Sequence, residues 1–178
     1  MSSILNTSAT IQHKTPLPST LTGPQAITSL QNHEGFIKCD PHMISYKPLP
    51  ESTSEPIPST ITCSPPAGRP AVVYEVTDRV HALPAGLWDS DVVSTYEFVD
   101  LEKGMFVRLR SPLSVVMETV WEVREVEGGG GGLELVEEVT ISCSRLLVAV
   151  IKGQCEGNWK GIHGNLVAKM EGKEATEG

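Results

Sequence analysis

The sequence has little that announces a chemistry. Aromatic residues make up 5% of its 178 positions, and the four cysteines, Cys39, Cys63, Cys143 and Cys155, form no Cys-x-x-Cys pair. No close group of His and Cys has zinc spacing, so free thiols and no metal are expected. Positive charge is scarce too: 14 Lys and Arg stand against 22 Asp and Glu, for a formal net charge of −8, with no basic run. The electrostatic footprint of a nucleic-acid partner or an anionic membrane surface is therefore missing. The longest apolar run, residues 146–151, is too short to span a bilayer, which excludes stable membrane insertion by a helix. The start, Met1-Ser-Ser-Ile-Leu-Asn6, lacks the charged and apolar regions of a secretory signal, so the expected location is the cytoplasm. There is no Ser/His/Asp spacing or nucleophile elbow of a hydrolase. The five glycines 128–132 precede a strand pattern with Glu134, Glu137 and Glu138, not the helix and Lys-Ser/Thr of a phosphate loop, and are expected to form a hairpin tip.

What is present is organised around residues 144–170. Leu147, Ile151, Cys155, Trp159, Ile162, Leu166 and Met170 recur at offsets of four and three, the stripe of an amphipathic helix. Ser144 is the expected N-cap. Such a helix is roughly 40 Å long and needs a broad apolar surface to lie on. Trp159 is the expected anchor, its truncation to alanine removing about 3–5 kcal/mol. Gly153, Gly157, Gly161 and Gly164 fall on the opposite face, and each costs the helix about 0.8–1 kcal/mol against alanine. Two readings stay open for that stripe: close approach of another surface, or an interrupted helix.

Before the helix the chain alternates. Residues 8–15 read as a first, edge or short strand ended by Pro16 and Pro18. Thr22-Gly-Pro-Gln25 is a capping box opening a short helix, Gly35 is the expected stop, and Phe36, Ile37 and Cys39 suggest a second short helix. Residues 42–47 read as a strand with Ile44 and Tyr46 on one side. From 48 to 70 the composition turns to Pro, Ser and Thr, which predicts a mobile loop outside the core. Residues 71–80, 92–99, 105–110, 115–126 and 133–143 are strands linked largely as hairpins. The expectation is one domain over residues 1–170 with the 48–70 loop inserted, and a disordered acidic tail at 171–178.

A sheet with one apolar face must cover it, and the C-terminal helix is the element long enough. The fold class is α+β: a seven-stranded curved antiparallel sheet gripping that helix, with two short helices after the first strand. This order resembles the START-like, helix-grip superfamily of lipid-transfer domains, plant ligand-binding proteins and aromatic polyketide cyclases. Val73-Tyr-Glu-Val-Thr-Asp-Arg-Val80, Phe106-Val-Arg-Leu-Arg-Ser-Pro112 and Val139-Thr-Ile-Ser-Cys-Ser-Arg-Leu-Leu147 are similar to an uncharacterised family of such proteins in filamentous fungi. The resemblance implies a pocket for a hydrophobic small molecule, used for transport or for cofactor-free chemistry on a natural product of secondary metabolism. No cofactor is implied.

Parity places a short set of polar groups inward. His42, Tyr74 and Asp78 are the candidate catalytic residues, because an imidazole, phenol or carboxylate in an apolar cavity can move a proton. Tyr46, Tyr96, Thr119, Trp121 and Trp159, with His81 and Trp88 on the apolar loop that leads into the next strand, are the candidate ligand-binding residues. Arg108 and Arg110 fall on the opposite face and read as solvated. Three functions fit: a cofactor-free cyclase, dehydratase or isomerase; a carrier or sensor of a lipid or similar molecule; or a structural protein pairing through the glycine stripe. A monomer and a homodimer are both compatible with the sequence.

Overall fold

The computed structural model describes residues 6–50, 55–61, 70–81, 89–128 and 130–173. The elements run β1 (Asn6–Pro16), α1 (Gly23–Leu30), α2 (His33–Ile37), β2 (Met43–Pro48), β3 (Val72–His81), β4 (Asp89–Leu101), β5 (Gly104–Ser111), β6 (Val115–Glu125), β7 (Leu133–Ser144) and α3 (Arg145–Met170). All strands join one antiparallel sheet in the order β1-β7-β6-β5-β4-β3-β2. Strands 3 to 7 are sequential hairpins, as alternating apolar patterns separated by short turns dictate. The strand β1 crosses from the start of the chain to pair with β7, which leaves β1 and β2 as the two edges. This is the curved helix-grip sheet with one long C-terminal helix.

The local signals explain the short helices. Thr22 caps α1 in a complete capping box with Gln25, with a proline in the first turn. The sequence predicts a break at Gly35, whereas α1 ends at Leu30 and Asn32 caps α2 through its side chain. Gly35 lies inside α2, where the Lys169 side chain occupies the place a Cβ would take. In the β6–β7 turn Gly128 and Gly131 have φ of +106° and +69°, conformations that L side chains rarely adopt.

One face of the sheet packs under the helices. There Tyr74, Val76, Phe98, Met105, Val107, Trp121, Val123 and Leu135 join Ala26, Leu30, Ile37, Leu166 and Met170 in the main core. The helix α3 runs along β1 and β7 and meets α1 at its far end. Its predicted stripe does pack, Leu147, Ile151 and Cys155 partly buried and Leu166 and Met170 buried. Ser144 takes an extended N-cap conformation without a side-chain capping bond. The first turns are held loosely, with Leu146 89% and Val150 49% exposed.

Of the two readings of the glycine stripe, the interrupted helix is overturned, and no surface within the described residues of this chain makes the close approach. The helix is continuous, and among the described residues nothing lies within 4 Å of a Cβ built at Gly153, Gly157 or Gly164, while Gly161 meets only Pro41 Cγ at 4.0 Å. Gly157→Leu is therefore expected to be neutral or to raise stability by up to about 1 kcal/mol, through helix propensity alone. Thermal unfolding with size-exclusion chromatography checks this, and a loss of stability or of a dimer would show that another surface sits on that face.

Three expectations fail for reasons of tertiary context. In β2 the register slips between Met43 and Ser45, so Ile44 bulges out, 45% exposed, while Met43 and Tyr46 pack on the core. The bulge removes the shared face assigned to Ile44 and Tyr46. The proline-rich segment, where described, is not outside the core: Ile57 and Ile61 pack with Ala71 on Val99, Leu101, Phe106 and Val120 of the convex face. Beneath it Arg108, expected in solvent, is 3% exposed. Its guanidinium bonds Glu118 at 3.0 Å, Glu97 at 3.4 Å and the carbonyls of Glu55 and Pro56 at 3.2 and 2.9 Å. Arg110 reaches Glu55 at 2.7 Å. A proline-rich backbone keeps its carbonyl acceptors while losing donors, which suits it to cover a buried cation.

Candidate functional site

Between the sheet, α2 and α3 lies a cavity of about 130 Å³, lined by Phe36, Ile37, Asp40, Val76, Asp78, Tyr96, Val107, Leu109, Met117, Thr119, Trp121, Glu137 and Ile162. Alternation along β3 to β7 puts every second side chain on this wall. Although aromatics are few, six of the nine converge here: Phe36 meets Trp121 and Phe98 at ring distances of 5.2 and 5.8 Å, and Tyr74, Tyr96 and Tyr46 continue the cluster.

Of the residues expected from the sequence, Asp78, Tyr96, Thr119 and Trp121 line the cavity. Tyr74 is buried against Phe98 beside it, and burial raises its phenol pKa. Tyr46 sends its hydroxyl away, to Glu34 Oε2 at 3.0 Å. His42 sits in the turn before β2, not on the strand, its backbone N–H bound to Asp40 Oδ1 at 2.8 Å. Trp159 does not line the cavity but stacks on the His13 ring at 4.6 Å. The side chain of His81, and Trp88 with residues 82–88, lie outside the described residues.

At one end of the cavity the Tyr96 hydroxyl donates to Asp78 Oδ2 at 2.9 Å, while Asp78 Oδ1 is buried without a hydrogen-bond partner. Burial is the main cause that lifts the Asp78 carboxyl to about 6; the Tyr96 bond opposes it, and Asp40 adds to it. The same burial, with Asp78 close by, pushes the Tyr96 phenol well up. Because the folded pKa of this acid lies above the unfolded 3.8, the folded state binds more protons between about pH 4 and 6, and Asp78 weakens the fold as pH rises through that window. Asp78→Asn should therefore raise the melting temperature at pH 7, with the gain vanishing below pH 4. A gain independent of pH would show that the carboxyl is not held in this environment.

At the other end stands a constellation that the sequence does not single out. Register places His13, Glu137 and Trp121 in one row across β1, β7 and β6. Glu137 Oε2 lies 2.8 Å from His13 Nδ1 and 3.3 Å from His163 Nε2. His163, 1% exposed, takes Thr15 Oγ1 at 2.7 Å on its other nitrogen, and His13 Nε2 reaches Glu156 at 3.3 Å. An ionised Glu137 carboxylate can only accept, so His163 donates to it through Nε2–H, and in the neutral ring Nδ1 then accepts from the Thr15 hydroxyl. Glu156, Trp159 and His163 share one face of α3 at offsets of three and four. A signal does exist, since Glu137 has the parity of Leu135 and Val139, His13 that of Ile11, and His163 lies one turn from Trp159 and Leu166. Among the described residues no group of His, Cys, Asp and Glu has metal-holding geometry, and no helix is long and apolar enough to cross a membrane.

The sheet, its gripped helix and the cavity between them place this chain in the START-like, helix-grip fold. Three solved structures share it: Ara h 8.0201 (12% identity, TM-score 0.54, covering 91% of this chain and 99% of that one), TTHA0849 from Thermus thermophilus (14%, 0.55, 93% and 98%), and the di-domain ARO/CYC StfQ from the steffimycin biosynthetic pathway (13%, 0.54, 91% and 51%). The chain thus spans about half of StfQ. By sequence it belongs to the family described as Domain of unknown function (DUF7053), which matches residues 6–172. A search of curated protein sequences gives no match.

Proposed function

We propose that this protein takes a hydrophobic small molecule into the cavity, with Asp78 and Tyr96 as its polar anchor. The observation that carries the reading is Asp78 Oδ1, a buried acceptor on the cavity wall with no partner. Leaving such a group unsatisfied costs about 1–3 kcal/mol, and a ligand donor would restore the bond. The apolar walls, Val76, Val107, Leu109, Met117 and Ile162, supply the remaining contact area. At about 130 Å³ the space suits one ring, since cavities of roughly 150 Å³ accept benzene; ordinary ligand pockets run to about 300–1,000 Å³. A polyketide-like ligand of several rings therefore requires α2 or α3 to shift, and the loosely packed start of α3 is where such a shift would be least opposed. The fold shared with the di-domain ARO/CYC StfQ of the steffimycin biosynthetic pathway supports reading this cavity as a small-molecule site.

A second reading, cofactor-free proton transfer of the cyclase, dehydratase or isomerase kind, is favoured by the carboxyl titrating at about 6, close to the pH at which a general acid or base works best. Native mass spectrometry of the purified protein for a copurifying small molecule tests binding, and its mass identifies the substrate to assay. With that molecule, Asp78→Asn should weaken binding by about 0.5–1.5 kcal/mol or more if Asp78 is only an anchor; a fall in turnover at unchanged affinity identifies it as the proton-transfer group. Purified protein with no bound molecule and no affinity for apolar probes would end both readings.

A further inference from the structure

The polar lining of the cavity is of one chemical kind. Asp40, Asp78 and Glu137 line it, together with the hydroxyl residues Tyr96 and Thr119, and no lysine, arginine or histidine is among the described residues that do. The acceptors are incompletely used. Asp78 Oδ1 has no partner, and Tyr96 spends its only hydrogen on Asp78 Oδ2. Glu137 engages His13 and His163 through Oε2 alone, which leaves Oε1 without a bond among the described residues. Neither histidine lines the cavity, so both hold the Glu137 carboxylate from outside its wall. The buried Asp78 oxygen is the one least screened by water, which strengthens its field on a ligand. A ligand carboxylate or phosphate would meet three acidic side chains, with only the neutral Thr119 hydroxyl and Trp121 indole N–H as donors on the wall, whereas a ligand N–H or O–H meets acceptors already oriented. The faces of Trp121 and Tyr96 add a surface on which an organic cation is further favoured.

We propose that the ligand of this cavity is a small apolar molecule bearing a hydrogen-bond donor, an amine before an alcohol, and that the cavity rejects carboxylates and phosphates. The inference rests on the reading of the cavity as a ligand site and narrows it: free fatty acids and phosphate headgroups are excluded from the polar ends.

Four probes matched around one ring test it on the full chain at neutral pH: toluene, benzyl alcohol, benzylamine and benzoate. Affinities are read by NMR titration, with the Trp121 indole N–H as the reporter that locates binding. Benzylamine should bind about tenfold or more tighter than toluene, the gain expected of one charge-assisted hydrogen bond, with benzyl alcohol between them and benzoate weaker than toluene. In Asp78→Asn the ratio of benzylamine to toluene affinity should fall by about tenfold. Should that variant misfold, Glu137→Gln on a different strand is expected to lower the same ratio. Benzoate binding as tightly as benzylamine, or toluene matching it, overturns the donor rule while leaving a ligand site. Failure of every probe, toluene included, removes the ligand site itself and this inference with it.

Discussion

Replacing Arg108 with methionine should destabilise the protein by about 3–5 kcal/mol, because it strands buried carboxylates that now share one cation. The guanidinium is 3% exposed, with Glu97 at 13% and Glu118 at 28% beside it, so solvent screens the residual repulsion only in part. The same side chain holds the carbonyls of Glu55 and Pro56, so the loss should also release residues 55–61 from the convex face. Chemical denaturation measures the first effect, and limited proteolysis across 55–61 the second. The triple change Arg108→Met, Glu97→Leu, Glu118→Leu should recover most of the loss, since replacing a whole buried ion cluster by apolar groups is often neutral. An Arg108→Met protein as stable as its parent would mean that the carboxylates are adequately hydrated without the cation.

Leu166→Ala should cost about 2–5 kcal/mol, the range for a buried leucine truncated to leave a void. Leu166 is 1% exposed and belongs to the core shared by the sheet, α1 and α3. Trp159→Ala, from the sequence the expected anchor of the helix, should cost less, because Trp159 is only half-buried and its ring packs on the polar rings of His13 and His163. Denaturant midpoints of the two variants decide the order. If Trp159→Ala proved the more damaging, the anchor of α3 would lie over the histidines rather than at its C-terminal turns.

Most of the fold is legible in the sequence because its signals are local. Period-two alternation defines the strands of the sheet, period 3.6 defines α3, and Thr22 with Gln25 marks the start of α1. The polar end at Asp78 follows from parity with Val76 on the same strand. Glu137, His13 and His163 obey the same rules, yet a charged or imidazole side chain in an apolar row reads as an exception until its partners are known. Those partners come from β1, β7 and α3, and the bond from Thr15 to His163 spans 148 positions of the chain.

Residue pattern alone settles which segments are strands and helices, which face of each is apolar, and hence that a sheet must close over the last helix. Contacts between distant segments settle which polar groups share the cavity, that a bulge turns Ile44 outward, and that a proline-rich segment shelters Arg108. The division has a physical cause. Secondary structure and amphipathicity depend on residues a few positions apart, whereas the burial and pairing of a polar group depend on whatever surface the folded chain brings against it.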